Sequence, residues 1–127
     1  MLPSALVRRF IQPVSSVPST SKSIYFSYLQ WNVLADKLCD MGSFPHCHDP
    51  KAVEWANRKV QLASILLNQV KPDILTMQEV DHYADFFEPT LSAIGYTGIF
   101  VAKKDPEATV ADGCALFYNT KVYVYYI

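Results

Sequence analysis

The chain has 127 residues, half of them apolar and 13% aromatic, with a net charge of −1. That length suits one domain, the apolar share supplies a packed core and excludes a disordered chain, and the near-neutral balance provides no basic face for wrapping nucleic acid. Three cysteines, an odd number, suit a reducing compartment better than a disulfide scaffold.

Residues 1–35 contain no acidic side chain, carry Arg8, Arg9 and Lys22, and are rich in serine. This is the composition of a mitochondrial transit peptide, with Pro3, Pro13 and Pro18 confining any helix to about Ser4–Gln12. Residues 1–23 are therefore read as a flexible leader, which makes the protein cytoplasmic or mitochondrial, and residues 24–127 as a partial domain. Its apolar runs are too short and interrupted for a membrane span.

From Ile24 onward, strands and helices alternate as α/β layers require. Ile24–Val33 reads as the first strand. Asp49 can cap a helix with Pro50 at its first position, and Val53, Ala56, Val60, Ala63, Leu67 and Val70 recur at three- and four-residue steps until Pro72 ends it. Asp73–Gln78 is a continuous apolar strand. Asp81 can cap a second helix carrying Phe86, Phe87, Leu91 and Ile94, with Pro89 as a kink and Gly95 as its exit. Thr97–Ala102, Cys114–Tyr118 and Val122–Ile127 follow as strands, the last a β-prone run that would leave an exposed edge.

Two of these strands end in short polar side chains that can converge. The strand from Asp73 delivers Glu79 at its end, and Tyr28-Leu29-Gln30-Trp31-Asn32 delivers Asn32. A carboxylate and an amide are hard oxygen donors, suited to Mg²⁺ or Mn²⁺ and not to a soft zinc cage. Magnesium keeps several waters and lets substrate phosphate complete its shell, so one well-placed Glu is enough to raise phosphoryl chemistry.

Gln30-Trp31-Asn32-Val33-Leu34-Ala35, Trp55 with Arg58-Lys59, Pro72-Asp73-Ile74-Leu75 running into Gln78-Glu79-Val80-Asp81-His82-Tyr83, Gly95-Tyr96 with Gly98 and Phe100, and Asp112-Gly113-Cys114-Ala115-Leu116-Phe117 occur in an order that resembles the endonuclease/exonuclease/phosphatase superfamily, in its deadenylase-like branch. The resemblance covers residues 25 to 125. It implies the N-terminal half of a four-layer α/β/β/α sandwich, a mixed sheet with flanking helices. It also implies that Glu79 is the magnesium-binding carboxylate, that Asn32 helps hold the metal and phosphate, and that Lys103 or Lys104 meets substrate phosphate.

Within that branch the resemblance implies either removal of the 2′-phosphate of NADP(H) or 3′-to-5′ removal of poly(A) RNA. A later Asp-x-Asn segment and a terminal Asp-His pair, expected from the resemblance to supply the general base and transition-state stabiliser, are absent from these 127 residues. General acid–base help and electrostatic stabilisation each contribute factors of about 10² or more. The expectation is a half-domain inactive by itself, with a second-half polypeptide as a candidate partner; the alternative class is a non-catalytic binding protein.

The remaining candidates read as structural. Cys39, His46, Cys47 and His48 crowd one loop but match no structural zinc spacing. Cys114 reads as a small buried hydrophobe, His82 as a structural or capping residue, Asp81 as a cap, and Trp55 as a packing anchor.

Overall fold

The computed structural model of the chain describes residues 26–104 and 111–122. The expected leader, the first residues of the opening strand and nearly all of the final one lie outside the described residues. Four strands form one mixed sheet: β1 (Tyr28–Asn32), β2 (Ile74–Val80), β3 (Tyr96–Ala102) and β4 (Gly113–Asn119), in the order β1-β2-β4-β3. β1 pairs parallel to β2, with Asn32 opposite Gln78, whereas β4 runs antiparallel to both β2 and β3. A parallel pair needs a crossover long enough for a helix, and the segment between β1 and β2 provides one. At the start of both strands, the Ser27 N–H and hydroxyl donate to the Asp73 carboxylate at 2.6 and 2.8 Å.

That crossover differs in detail from the periodicity. Asp49 caps only a 3₁₀ turn, Pro50–Ala52, by accepting from the Lys51 N–H. Helix α1 (Trp55–Ser64) starts later and runs into a π-helical turn, Ile65–Gln69, before Pro72. Its buried side chains are Leu62 and, in that turn, Leu66, not the expected row: Ala56 is exposed and Val60 is 63% exposed. The expected row lost because the inward face also carries Trp55 and Arg58, and a periodicity reading counts an arginine as solvent-facing.

The second helix begins as a π-helical turn, Tyr83–Phe87, and tightens into α2 (Glu88–Ser92). Pro89 at the start of α2 has no N–H to donate and cannot take a place in a tight helix interior, so the wide turn falls before it. Gly95 closes the helix with φ +92°, which only glycine adopts without strain. Asp81 does not cap this helix. Its carboxylate instead accepts the Lys37 backbone N–H at 3.2 Å.

One face of the sheet makes the core. Leu75, Met77 and Val80 of β2 and Ala115 and Phe117 of β4 are buried against Leu62, Leu66, Phe87 and Leu91. On the other face Tyr28, Ile99, Val101 and Leu116 are exposed, and nothing among the described residues covers them. Cys114 belongs to that open face and is exposed, correcting the buried reading: Ala115 and Phe117 point at the helices, so pleating turns Cys114 the other way. One sheet with helices on one side is the N-terminal half of the α/β/β/α sandwich. No described helix is long and apolar enough to cross a membrane.

Candidate metal and phosphate site

Glu79 owes its position to an irregularity in β2. Leu75 and Met77 point into the core, so strict alternation would send Glu79 after them. The register instead shifts: Met77 pairs with Ala115 and Val80 with Gly113, leaving two residues of β2 opposite Cys114. This is a β-bulge, with Glu79 at φ +56°. Val80 takes the core slot, and the Glu79 carboxylate is released to the strand end. A left-handed conformation at a non-glycine residue costs on the order of 1 kcal/mol or more, and such residues cluster at functional sites.

Two groups meet that carboxylate, and a third steadies one of them. Asn32 donates from Nδ2 to Glu79 Oε1 at 2.6 Å, across the ends of the parallel pair. The Ala35 N–H lies 3.4 Å from Glu79 Oε2. Asn32 Oδ1 accepts the Leu34 N–H at 2.9 Å, closing a turn in which Leu34 has φ +58°. The sequence expectation that Asn32 and Glu79 lie side by side therefore matches the geometry.

Beside them runs an open groove of about 410 Å³ lined by Glu79, Val101, Lys103, Asp112, Gly113 and Cys114, among others. Of the lysine doublet, Lys103 lines this groove and Lys104 does not. The Lys103 N–H donates to the Asp112 carbonyl at 2.8 Å, fixing the strand end that carries it. Gly113 is required at the groove floor, because a Cβ there would collide with the Val101 carbonyl and the Phe100 ring.

Asp112 was not singled out from the sequence. It is buried, and Lys37 Nζ sits 2.8 Å from its Oδ1. The hydrogen bond from the Lys37 ammonium holds the Asp112 carboxyl below its usual range, against the opposing effect of burial. No signal in the sequence pairs these two residues, which stand far apart along the chain. Trp55 stacks on His82 at 4.0 Å between centroids and meets Phe86 edge-on at 5.1 Å. His82 also binds the Asp85 carboxylate at 2.7 Å, so both side chains serve as supports.

The donor set fits a hard divalent cation. A carboxylate offers about four lone-pair sites; Asn32 takes one and the long Ala35 contact another, which leaves capacity on both oxygens. Among the described residues no three His, Cys, Asp or Glu side chains converge, Cys39, His46, Cys47 and His48 included. That arrangement suits a magnesium-type site of one carboxylate, waters and substrate oxygens.

Residues 29–126 match the model of the Endonuclease/Exonuclease/phosphatase family. Nocturnin of Homo sapiens is 39% identical over 123 residues, covering 91% of this chain and 28% of that protein. The solved human Nocturnin catalytic domain with bound sulfate anion overlays with a TM-score of 0.57, covering 76% of this chain and 34% of that one at 38% identity. The CCR4-Not complex 3′-5′-exoribonuclease subunit Ccr4 of Schizosaccharomyces pombe is 34% identical, over 95% of this chain and 19% of that protein. ANGEL2, a 2′,3′-cyclic phosphatase, overlays with a TM-score of 0.62 at 25% identity, over 76% of this chain and 27% of that one. The chain thus spans under a third of the length of these curated relatives. With the family model matching most of its residues, the chain belongs to the endonuclease/exonuclease/phosphatase family.

Proposed function

We propose that this chain supplies the metal-binding half of a Mg²⁺- or Mn²⁺-dependent phosphoester hydrolase of the nocturnin type. The observation that carries the reading is the 2.6 Å contact between Asn32 and Glu79 at the joined ends of two parallel strands, with Lys103 in the adjoining groove. A divalent ion held by Glu79 would supply Lewis-acid polarisation of a phosphoryl oxygen and charge for the leaving group. Glu79 would hold the ion, and Asn32, with one amide proton on Glu79, has a second for a phosphate oxygen. Lys103 brings a point charge to the phosphate, and the Lys37–Asp112 pair braces the groove wall behind it.

The substrate we favour is the 2′-phosphate of NADP(H). Support comes from the likeness to Nocturnin, whose catalytic domain binds a sulfate anion, an analogue of phosphate in shape and charge. The second reading, 3′-to-5′ removal of poly(A), is favoured by the likeness to the Ccr4 exoribonuclease. Among the described residues the site offers the Glu79 carboxylate and the Asn32 amide, with the Asp112 carboxylate engaged by Lys37, so the reaction needs a general base and further stabilising groups from elsewhere. The open sheet face is where a second sheet of the sandwich would pack, whether from the same chain or from a separate polypeptide.

The test compares phosphate release from NADP with AMP release from oligo(A), in MgCl₂, for the full-length protein and its Glu79→Gln variant. Phosphate release abolished by Glu79→Gln is expected. AMP release alone would move the substrate to poly(A). No release from either substrate would leave the chain as a non-catalytic binding protein.

A further inference from the structure

Arg58 is the one arginine of α1, yet it faces inward, with its side chain only 11% exposed. Its Nη2 donates to the Val33 carbonyl at 2.8 Å and also to the Leu34 carbonyl. Its Nη1 lies 3.6 Å from Asp36 Oδ1, an ion pair without a hydrogen bond, and its Cζ is 5.8 Å from the Trp55 ring centroid. A buried guanidinium donating to two successive carbonyls is unusual in a helix that could have placed an apolar residue there.

The two carbonyls belong to the peptide groups 33–34 and 34–35. In a trans peptide the C=O and N–H point in opposite directions, and no cis bond occurs among the described residues. The N–H ends of these same two peptides are therefore turned away from Arg58. The first, Leu34 N–H, donates to Asn32 Oδ1, and the second, Ala35 N–H, faces Glu79 Oε2. Between them Leu34 adopts φ +58°, a conformation that costs on the order of 1 kcal/mol for a residue with a Cβ and persists only where its surroundings impose it.

We infer that Arg58 is a positioning residue for the metal and phosphate site: by holding the carbonyl ends of peptides 33–34 and 34–35, it aims their N–H ends at Asn32 and Glu79. Arg58 touches neither substrate nor metal; it acts through the backbone. The planar, permanently charged guanidinium suits this task, because it polarises both carbonyls and strengthens the N–H donors on the far side of the same peptides. The ring of Trp55, itself stacked on His82, supports the guanidinium beside it. The inference rests on the metal reading of Glu79 proposed above, and its test separates the two.

The probe is MnCl₂, titrated calorimetrically into the full chain as wild type, Arg58→Lys, Arg58→Met and Glu79→Gln. The backbone amide shifts of Leu34, Ala35, Leu75 and Phe117 are recorded without metal. The lysine of Arg58→Lys keeps the charge and the packing against Trp55 but is shorter and lacks the fork. Outer-shell partners of metal ligands typically contribute about 10- to 100-fold in affinity. The expected result for Arg58→Lys is a roughly 10-fold weaker Mn²⁺ affinity, with shifted Leu34 and Ala35 amides and unmoved Leu75 and Phe117 amides. Arg58→Met should weaken binding at least as much, and if it fails to fold, Arg58→Lys alone decides. A folded Arg58→Lys protein with wild-type Mn²⁺ affinity and unshifted Leu34 and Ala35 amides overturns the positioning role. Binding that survives in Glu79→Gln instead sinks the metal reading itself.

Discussion

Replacing Asn32 by Asp exchanges the closest polar contact of the site for its opposite. Asn32 Nδ2 donates to Glu79 Oε1 at 2.6 Å, and the substitution puts a negatively charged oxygen of nearly the same size at that distance. Two unit charges 2.6 Å apart repel by about 1.6 kcal/mol in a water-like dielectric and by about 6 kcal/mol at an effective dielectric of 20. Asn32 is exposed, so the lower figure applies, and the side chains can rotate apart to relieve part of it. Adding the lost hydrogen bond to a charged acceptor gives a net destabilisation of about 2 kcal/mol in metal-free buffer. For a chain of this size that is a drop of about 8 °C in melting temperature. The introduced carboxylate still accepts the Leu34 N–H, so the turn itself is kept. A divalent cation reverses the balance, because two carboxylates hold it better than one; both proteins gain by binding it, and an affinity about 30-fold tighter in Asn32→Asp adds about 2 kcal/mol to its gain, matching the deficit. Scanning calorimetry of both proteins in EDTA and in MnCl₂ reads both effects. The deficit of Asn32→Asp should be present in EDTA and largely vanish in MnCl₂. Equal melting temperatures in EDTA, or a deficit that Mn²⁺ leaves unchanged, would refute the reasoning.

Gly113→Ala sets a Cβ against the Val101 carbonyl and the Ala102 Cα, both backbone, so overpacking should cost about 3 kcal/mol, read by urea denaturation. Asp112 has a folded carboxyl pKa depressed by Lys37, so the pair contributes stability above the ordinary carboxylate range that is lost as pH falls through the depressed folded value. Asp112→Asn should therefore lower stability at neutral pH and flatten its decline below about pH 4, measured by unfolding at a series of pH values. Lys103→Ala should raise KM for the phosphorylated substrate by about 10-fold while Lys104→Ala leaves it within about twofold, because only Lys103 lines the groove.

The parts of this fold that depend on one segment at a time were legible in the sequence. The apolar run after Pro72, the glycine exit at Gly95 and the apolar run Cys114–Tyr118 each name their element without outside help, and two strands ending in Asn32 and Glu79 pointed to one site. What escaped depends on pairs of segments. The bulge that frees Glu79 is a count of residues in β2 against those in β4, and neither strand alone contains it. The inward face of α1 was misjudged because Arg58, turned to the β1 loop, looks like a solvent residue until its carbonyl partners are seen. Asp112 and Lys37 stand far apart along the chain and are brought together by the fold. Cys114 was misread as buried because the strand pattern fixes which residues alternate but not which set faces the helices.

The most direct test of the metal site is paramagnetic broadening of the backbone amide spectrum by substoichiometric Mn²⁺. Selective loss of the Asn32, Leu34, Ala35, Glu79 and Lys103 resonances, abolished in Glu79→Gln, is the predicted outcome. Broadening that ignores these residues and spreads instead over Asp40, Asp49 and Asp85, unaffected by Glu79→Gln, would contradict the assignment of Glu79 as the ligand.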